Sequence, residues 1–263
     1  MNASTAEQTF ERTLSVARPA SIELNLDSGI VRISAGETES IRIRGILRAR
    51  RSLLGWGNSE DRMHRLAANP PIEYGGNTVR IDGRDLNEVT LLLDIVVPPD
   101  TRVHARTDSG DLRVEDLAAP VVCQTDSGTI EIGNIEAGVR ASSDSGRIQI
   151  RGIRGAVFAE ADSGSIDALD ISGPVEASAD SGAIRISQTT AAPVRARADS
   201  GSIDLKLAPD AGYNIRVVTD HGAITLPTLT FQRARSRHET EGQVLGGGPM
   251  VDIKTDSGGI DIS

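Results

Sequence analysis

One cysteine, three phenylalanines, two tyrosines and one tryptophan are all the thiol and aromatic chemistry in this chain of 263 residues. With Cys123 alone no intrachain disulfide can form, and no Cys pair is there to hold zinc. With so few aromatics the interior must be filled by Val, Ile, Leu and Ala, which suits a narrow core. Long apolar runs are missing too: the longest, residues 89–99, is interrupted by Asp94 and is too short to span a bilayer. A positive charge balance is also lacking. The formal charge of −9 disfavours nucleic acid and anionic membrane as partners. No signal peptide is legible, because the polar opening Met1-Asn2-Ala3-Ser4-Thr5 leads straight into strand-like residues 10–16. That leaves the cytoplasm, or the periplasm or cell surface if a leader was removed.

Catalytic signatures are missing as well: there is no Gly-x-Ser-x-Gly, Walker loop or His-Glu-x-x-His. The histidines His64, His104, His221 and His238 show no ligand spacing. Asp-Ser pairs recur without an accompanying general base, so they do not read as a triad.

What the chain does have is one recurring tripeptide. Asp-Ser-Gly begins at Asp27, Asp108, Asp126, Asp144, Asp162, Asp180, Asp199 and Asp256, with the variant Asp220-His221-Gly222 between the last two. From Asp108 to Asp180 the step is 18 residues; it then stretches to 19 and 21, and the final gap of 36 reads as two steps. A fixed period of this length is a solenoid signal. Within a unit, Val175, Ala177 and Ala179 alternate before the corner, and Ile184 and Ile186 alternate after it. That is strand periodicity. A third inward position recurs as Leu117, Ile135, Ile153 and Ile171. The reading is an all-β, single-stranded parallel β-helix, with coils stacked in register roughly 4.8 Å apart. Ile148, Ile166 and Ile184 are expected to stack on one wall, and Cys123 to occupy the inward column of Ala141, Ala159 and Ala177 as an inert thiol.

The tripeptide reads as the corner. Gly supplies a backbone conformation that a Cβ would penalise. Asp accepts a hydrogen bond from the backbone two residues on. Ser turns inward, where its hydroxyl needs a partner.

Residues 1–263 read as one β-helix domain. Residues 10–101 form N-terminal coils, of which residues 10–45 are the first coil and a half. A helical insertion lies at 52–71, with Asn58 or Ser59 as cap, Pro70-Pro71 as stop, and Leu54, Trp56, Met63 and Leu66 as apolar contacts. The regular array covers 102–206. Irregular C-terminal coils cover 207–263, where an insertion at 228–250 leaves the stack as a strand or hairpin carrying Arg233, Arg235 and Arg237. Arg42, Arg44, Arg48, Arg50 and Arg51 form a basic run whose default is a solvated strand face.

Calcium is the main alternative for the corners, since 18-residue coils can bind it through Gly-Asp turns. Asp162/Asp167, Asp199/Asp204 and Asp256/Asp261 give a partial pattern, but Arg185 takes the second position in the intervening coil. Calcium wants six to eight oxygens. The outward column Arg113, Glu131, Gln149, Asp167, Arg185 and Asp204 is mixed in charge, as a solvated face would be. No catalytic residue, cofactor or metal ligand is assigned.

The repeated Asp-Ser-Gly-x-Ile-x-Ile units resemble the bacterial β-strand-repeat family of adhesin-like, or toastrack, domains. So do Phe10-Glu11-Arg12-Thr13-Leu14, Asn69-Pro70-Pro71-Ile72-Glu73 before Asn77-Thr78-Val79-Arg80-Ile81, Val96-Val97-Pro98-Pro99-Asp100-Thr101 and Gly246-Gly247-Gly248-Pro249. The resemblance covers almost the whole chain. It implies a β-helix at the bacterial envelope, in some members linked to envelope stress, with no catalytic residues to carry over. The expectation is a non-enzymatic envelope scaffold that contacts protein or glycan. The alternatives are a self-associating module pairing through an exposed edge, a calcium-binding repeat, and a carbohydrate-active enzyme.

Overall fold

In the computed structural model, residues 7–49, 57–84, 86, 89–228, 231–234 and 238–263 are described. The alternation in the sequence is the alternation in space. In the strand Val175–Ser181, Val175, Ala177 and Ala179 are buried, while Glu176, Asp180 and Ser181 face water. Each inward side chain falls on its counterpart in the next coil. Val121, Val139, Val157, Val175 and Val194 form one file. Ile130, Ile148, Ile166, Ile184 and Ile203 form another. Leu117, Ile135, Ile153 and Ile171 are buried on the third wall. Complete burial of one Ile contributes about 1.5–3 kcal/mol, so these files supply most of the driving force. All the pairings between coils are parallel, and the strands join into one continuous sheet, the β-helix read from the period.

Spatial order departs from chain order at both ends, and in the same way. The strand Ser21–Ala35 pairs in parallel with Arg102–Glu115 along nearly its whole length. On its other side it pairs with Thr78–Gly83 and Val89–Val97. At the other end, Met250–Ser257 lies between Val194–Ser200 and Tyr213–His221. Ile260–Ile262 likewise lies between Ile203–Lys206 and Ile224–Thr225. The corners therefore stack in the order Asp27, Asp108, Asp126, Asp144, Asp162, Asp180, Asp199, Asp256, Asp220. The final gap of 36 residues is not two forward steps: the last coil steps back between two earlier ones. Each terminal coil thereby gains ladder partners on both sides, where a chain end would otherwise fray.

The outermost coils are covered by antiparallel strands, which corrects the reading of residues 10–45 as a coil and a half. Only Ser21–Ala35 is a coil. Glu7–Ser15 pairs antiparallel with Ser40–Ala49, which pairs antiparallel with Val89–Val97. Gly45 makes room for the Phe10 ring, which a Cβ there would strike. The helix Gly57–Ala68 packs on these two strands with Met63 fully buried and Leu66 partly so. It ends one residue before Asn69, whose N–H donates to the Arg65 carbonyl at 2.9 Å. Leu54, Trp56, Arg50 and Arg51 lie outside the described residues. Asn58 and Ser59 are inside the helix rather than ahead of it.

At the far end, Phe231–Ala234 and Glu239–Val244 form an antiparallel pair. Glu239–Val244 also lies antiparallel on Tyr213–His221. The insertion thus covers the stack instead of leaving it, because the open strand of the outermost coil offers unpaired backbone groups that this pair satisfies. Arg235 and Arg237 lie outside the described residues. No helix among the described residues is long and apolar enough to cross a membrane.

Candidate functional site

The repeated tripeptide lies at the corners of the coils. A Cβ on Gly128 would run into the backbone of Gly110, and the same holds for Gly146 on Gly128, Gly164 on Gly146, Gly182 on Gly164 and Gly201 on Gly182. Of the corner glycines, only Gly29 and Gly128 have a φ that disfavours other residues. Glycine is thus required by the approach of the neighbouring coil more than by its own conformation.

The corner serines do not turn inward. Ser109, Ser127, Ser145, Ser163, Ser181, Ser200 and Ser257 are exposed. The residue before Asp is the inward one, in phase with the alternation: Thr107, Thr125, Ser143, Thr219 and Thr255 are buried, as are Ala161, Ala179 and Ala198. Thr255 Oγ1 donates to the Gly201 carbonyl at 3.2 Å and Thr219 Oγ1 to that of Gly258 at 3.3 Å. Thr255 and Thr219 thus find the backbone partner expected of the serines, while Thr107 Oγ1 and Ser143 Oγ in the same column have none among the described residues.

The expected Asx turn is not formed either. The turn would need the N–H two residues on, and at four corners that N–H belongs to the ladder between coils: Gly164 donates to the Ser181 carbonyl at 3.1 Å, Gly182 to Ser200, Gly201 to Ser257 and Gly258 to His221, each at 3.0 Å. Beyond Asp27, the carboxylates are left to solvent and to cations. Asp126 meets Arg106 at 3.3 Å, and Asp256 meets Lys254 at 3.1 Å. The hydrogen bond that Lys254 donates to Asp256, then the charges of Asp256, Asp220 and Asp199, hold the ammonium above its ordinary range.

The other sequence candidates are scattered. Among the described residues no three His, Cys, Asp or Glu side chains converge as a ligand set. Asp167 and Asp204 are both engaged by Arg185, at 3.2 and 3.8 Å. Arg113 meets Glu131 at 3.3 Å in the same column. His64 lies on the helix, His104 on an outer face, His221 at a corner and His238 before the strand Glu239–Val244. Arg48 pairs with Glu7 at 2.6 Å, and Arg44 lies between Glu11 and Asp94, so the basic run is interleaved with acids. Cys123 is fully buried between Ala105 and Ala141, and burial pushes its thiol up to about 12.

A different place stands out, one the sequence reading passed over. On the outer face of the sheet that precedes the corners, Phe158 is 39% exposed. Its register neighbours along the stack are Arg140 and Glu176. The Arg140 guanidinium lies over the ring at 4.9 Å from its centroid, an arrangement that fixes the ring. On one side of Phe158 runs a groove of about 420 Å³, lined by Gln124, Ser142, Glu160, Ser178 and Arg197 among others. On the other side is an apolar shelf formed with Pro174, Pro193 and the half-exposed Met250.

Some charged side chains elsewhere on the faces are paired, as Arg80 is with Glu23 at 2.7 Å, Arg154 with Glu136 at 2.9 Å, and Arg216 with Glu239 of the covering strand at 3.2 Å. At this groove several charges are left without partners. Glu176 stands in register with Arg195, yet Arg195 turns to Asp252 at 3.8 Å. Glu160 is separated from Arg197 by Ser178. Among the described residues, Glu160, Glu176 and Arg197 enter no ion pair or side-chain hydrogen bond. An apolar ring with unused acceptors and a donor beside it can hold a ligand. The signal was present in the alternation, since Val157 faces in and Phe158 must therefore face out.

Residues 68–263 match the Toastrack DUF4097 family. No curated protein matches the chain. Among solved structures, a "putative cell adhesion protein" from Clostridium sporogenes is 13% identical, with 98% of each chain covered and a TM-score of 0.32. A "putative adhesin" from Bacteroides fragilis is 16% identical, with 98% of this chain and 99% of that one covered and a TM-score of 0.49.

Proposed function

The chain belongs to the Toastrack DUF4097 family, and on that premise we propose a non-enzymatic β-helix of the bacterial envelope that presents its outer face for protein or glycan contact. The observation that carries this reading is the exposed Phe158 ring beside a groove lined by the unpaired Glu160, Glu176 and Arg197. A face that served only to be solvated would gain by pairing Glu176 with its register neighbour Arg195, as Arg113 is paired with Glu131. Here the side chains are held apart around an exposed ring, in a depression of the size small-molecule sites occupy. The rigid ladder beneath keeps these side chains at fixed spacing, which lowers the ordering cost of binding.

Two experiments test this reading. Beads carrying the full chain are presented to bacterial envelopes separated into protein and polysaccharide fractions. Retention by one fraction, reduced by Phe158→Ala, is expected; beads that retain neither remove the proposal. The native gene fused to alkaline phosphatase should give enzyme activity outside the cytoplasm, and an inactive fusion would remove the envelope assignment.

A further inference from the structure

Resting on that reading, we propose that the Phe158 groove binds a neutral, extended oligosaccharide lying along the axis of the helix, with one sugar seated at the ring.

The occupant follows from three features of the lining. The first is shape. The groove is straight because its walls are files of stacked residues, from Gln124 to Arg197 across five coils. Four coil steps of roughly 4.8 Å give a track of roughly 19 Å. One step is close to the length of one hexose in an extended chain, so each coil can meet one sugar.

The second is polarity. A pyranose has an apolar face of C–H bonds and a rim of hydroxyls. Phe158, with Pro174, Pro193 and Met250 beside it, supplies an apolar platform, and the electron-rich ring face attracts polarised C–H groups. Glu160 and Glu176 supply charged acceptors for hydroxyl donors, and Arg197 supplies donors for sugar oxygens. None of these three is committed to a partner among the described residues.

The third is charge. Glu160 and Glu176 stand against Arg140 and Arg197, since the ring leaves the Arg140 charge in place and Arg195 is matched by Asp252, so the lining carries no net charge. Such a balanced lining gives a chain of uronates or phosphorylated sugars no overall attraction, and sets Glu160 and Glu176 against its acidic groups. A peptide fits less well. The site is a sheet face and not an edge, so a strand cannot add to it through backbone hydrogen bonds. The groove also lacks a deep apolar pocket for an anchor side chain.

The test uses the folded full chain on an array of immobilised oligosaccharides that includes neutral hexose and N-acetylhexosamine oligomers of several linkages beside uronate oligomers. The best ligand is then titrated calorimetrically. Retention of neutral oligomers is expected, with affinity rising from disaccharide to tetrasaccharide. Phe158→Ala should weaken binding at least tenfold and Glu160→Ala at least threefold. Phe158→Trp should retain binding, and Gln149→Ala on the other face should leave it unchanged. Thermal melts of each variant control for folding, and the exposed positions make unchanged melting the expectation. An array on which no neutral oligomer is retained overturns the inference, as does preference for uronates or a Phe158→Ala variant that binds as the parent does. If the array is blank while beads still retain an envelope protein through Phe158, this inference falls and the broader reading stands. If both are blank, both fall.

Discussion

Gly164 stands directly against the carbonyl of Gly146, so close that a Cβ on Gly164 would occupy the oxygen's space. The obstacle is backbone held in a ladder on both sides and has nowhere to move. Gly164→Ala should therefore destabilise the stack by about 3 kcal/mol, as overpacking does, and lower the melting temperature by about 5 °C or more. Gly75 provides the matched control: no atom lies within 4 Å of the position its Cβ would take. Gly75→Ala should melt with the parent. Equal melting of the two variants would show that the corner glycines are not required by contact between coils.

The intercalated C-terminal coil makes a second prediction, testable by hydrogen exchange. In a solenoid stacked in chain order, removing residues 249–263 would peel off one terminal coil. Here it removes the layer between Val194–Ser200 and Tyr213–His221. Amides of residues 213–221 should lose protection together with the deleted segment's partners at 194–206, while those at 121–171 stay protected. Retained protection at 213–221 would mean that this strand does not depend on the terminal coil.

The regular array was legible because its signal is local: alternation of period two around a fixed corner needs only one coil to be read, and Val175, Ala177 and Ala179 face as expected. The order of the end coils was not legible, because Val194 accepts Val251 as readily as it would accept its successor in the chain. Files of similar β-branched residues make the coils interchangeable partners, so sequence spacing cannot say which neighbour is chosen. The corner chemistry misled for another reason. Asp and Ser have turn roles in isolated loops, but a stack offers corner N–H groups such as those of Gly164, Gly182 and Gly201 a carbonyl from the adjoining coil, and that bond wins. The candidate site depended on what the charged residues do with each other. Register alone would have paired Glu176 with Arg195, and only the side-chain placement shows Arg195 turned to Asp252.

The corner carboxylates give a prediction whose sign separates two readings. Asp144 lies between Asp126 and Asp162 in a file spaced by roughly 4.8 Å, and it accepts no turn hydrogen bond. Its charge is therefore only a source of repulsion. Asp144→Asn and Asp144→Ala should each raise the melting temperature by about 1–2 °C at low ionic strength. The gain should vanish near 1 M salt, where the screening length is about 3 Å. Chelator should leave the parent's melting unchanged. A calcium file would give the opposite result: both substitutions and chelator would lower melting, and calcium, but not matched magnesium, would restore it.

Cys123 supplies a pH-dependent test of the core. Burial among Ala105 and Ala141 raises its thiol to about 12 in the folded chain, against about 8.5 in an unfolded one. A folded-state pKa above the unfolded value favours the protonated form, so the contribution is fully present below about pH 8.5. It is lost as pH rises toward about 12, by up to about 1.4 kcal/mol per pH unit within that window. Cys123→Ala places in the column the residue its neighbours already carry, and should cost about 1 kcal/mol at pH 7 through the lost sulfur contacts. Lysines and tyrosines titrate in both proteins and cancel in the difference. Urea midpoints at pH 7, 9 and 10.5 should therefore show the parent's advantage shrinking and then reversing. A difference that stays constant to pH 10.5 would place the thiol near solvent and contradict the packing of this file. So would alkylation of the native chain as fast as the unfolded one.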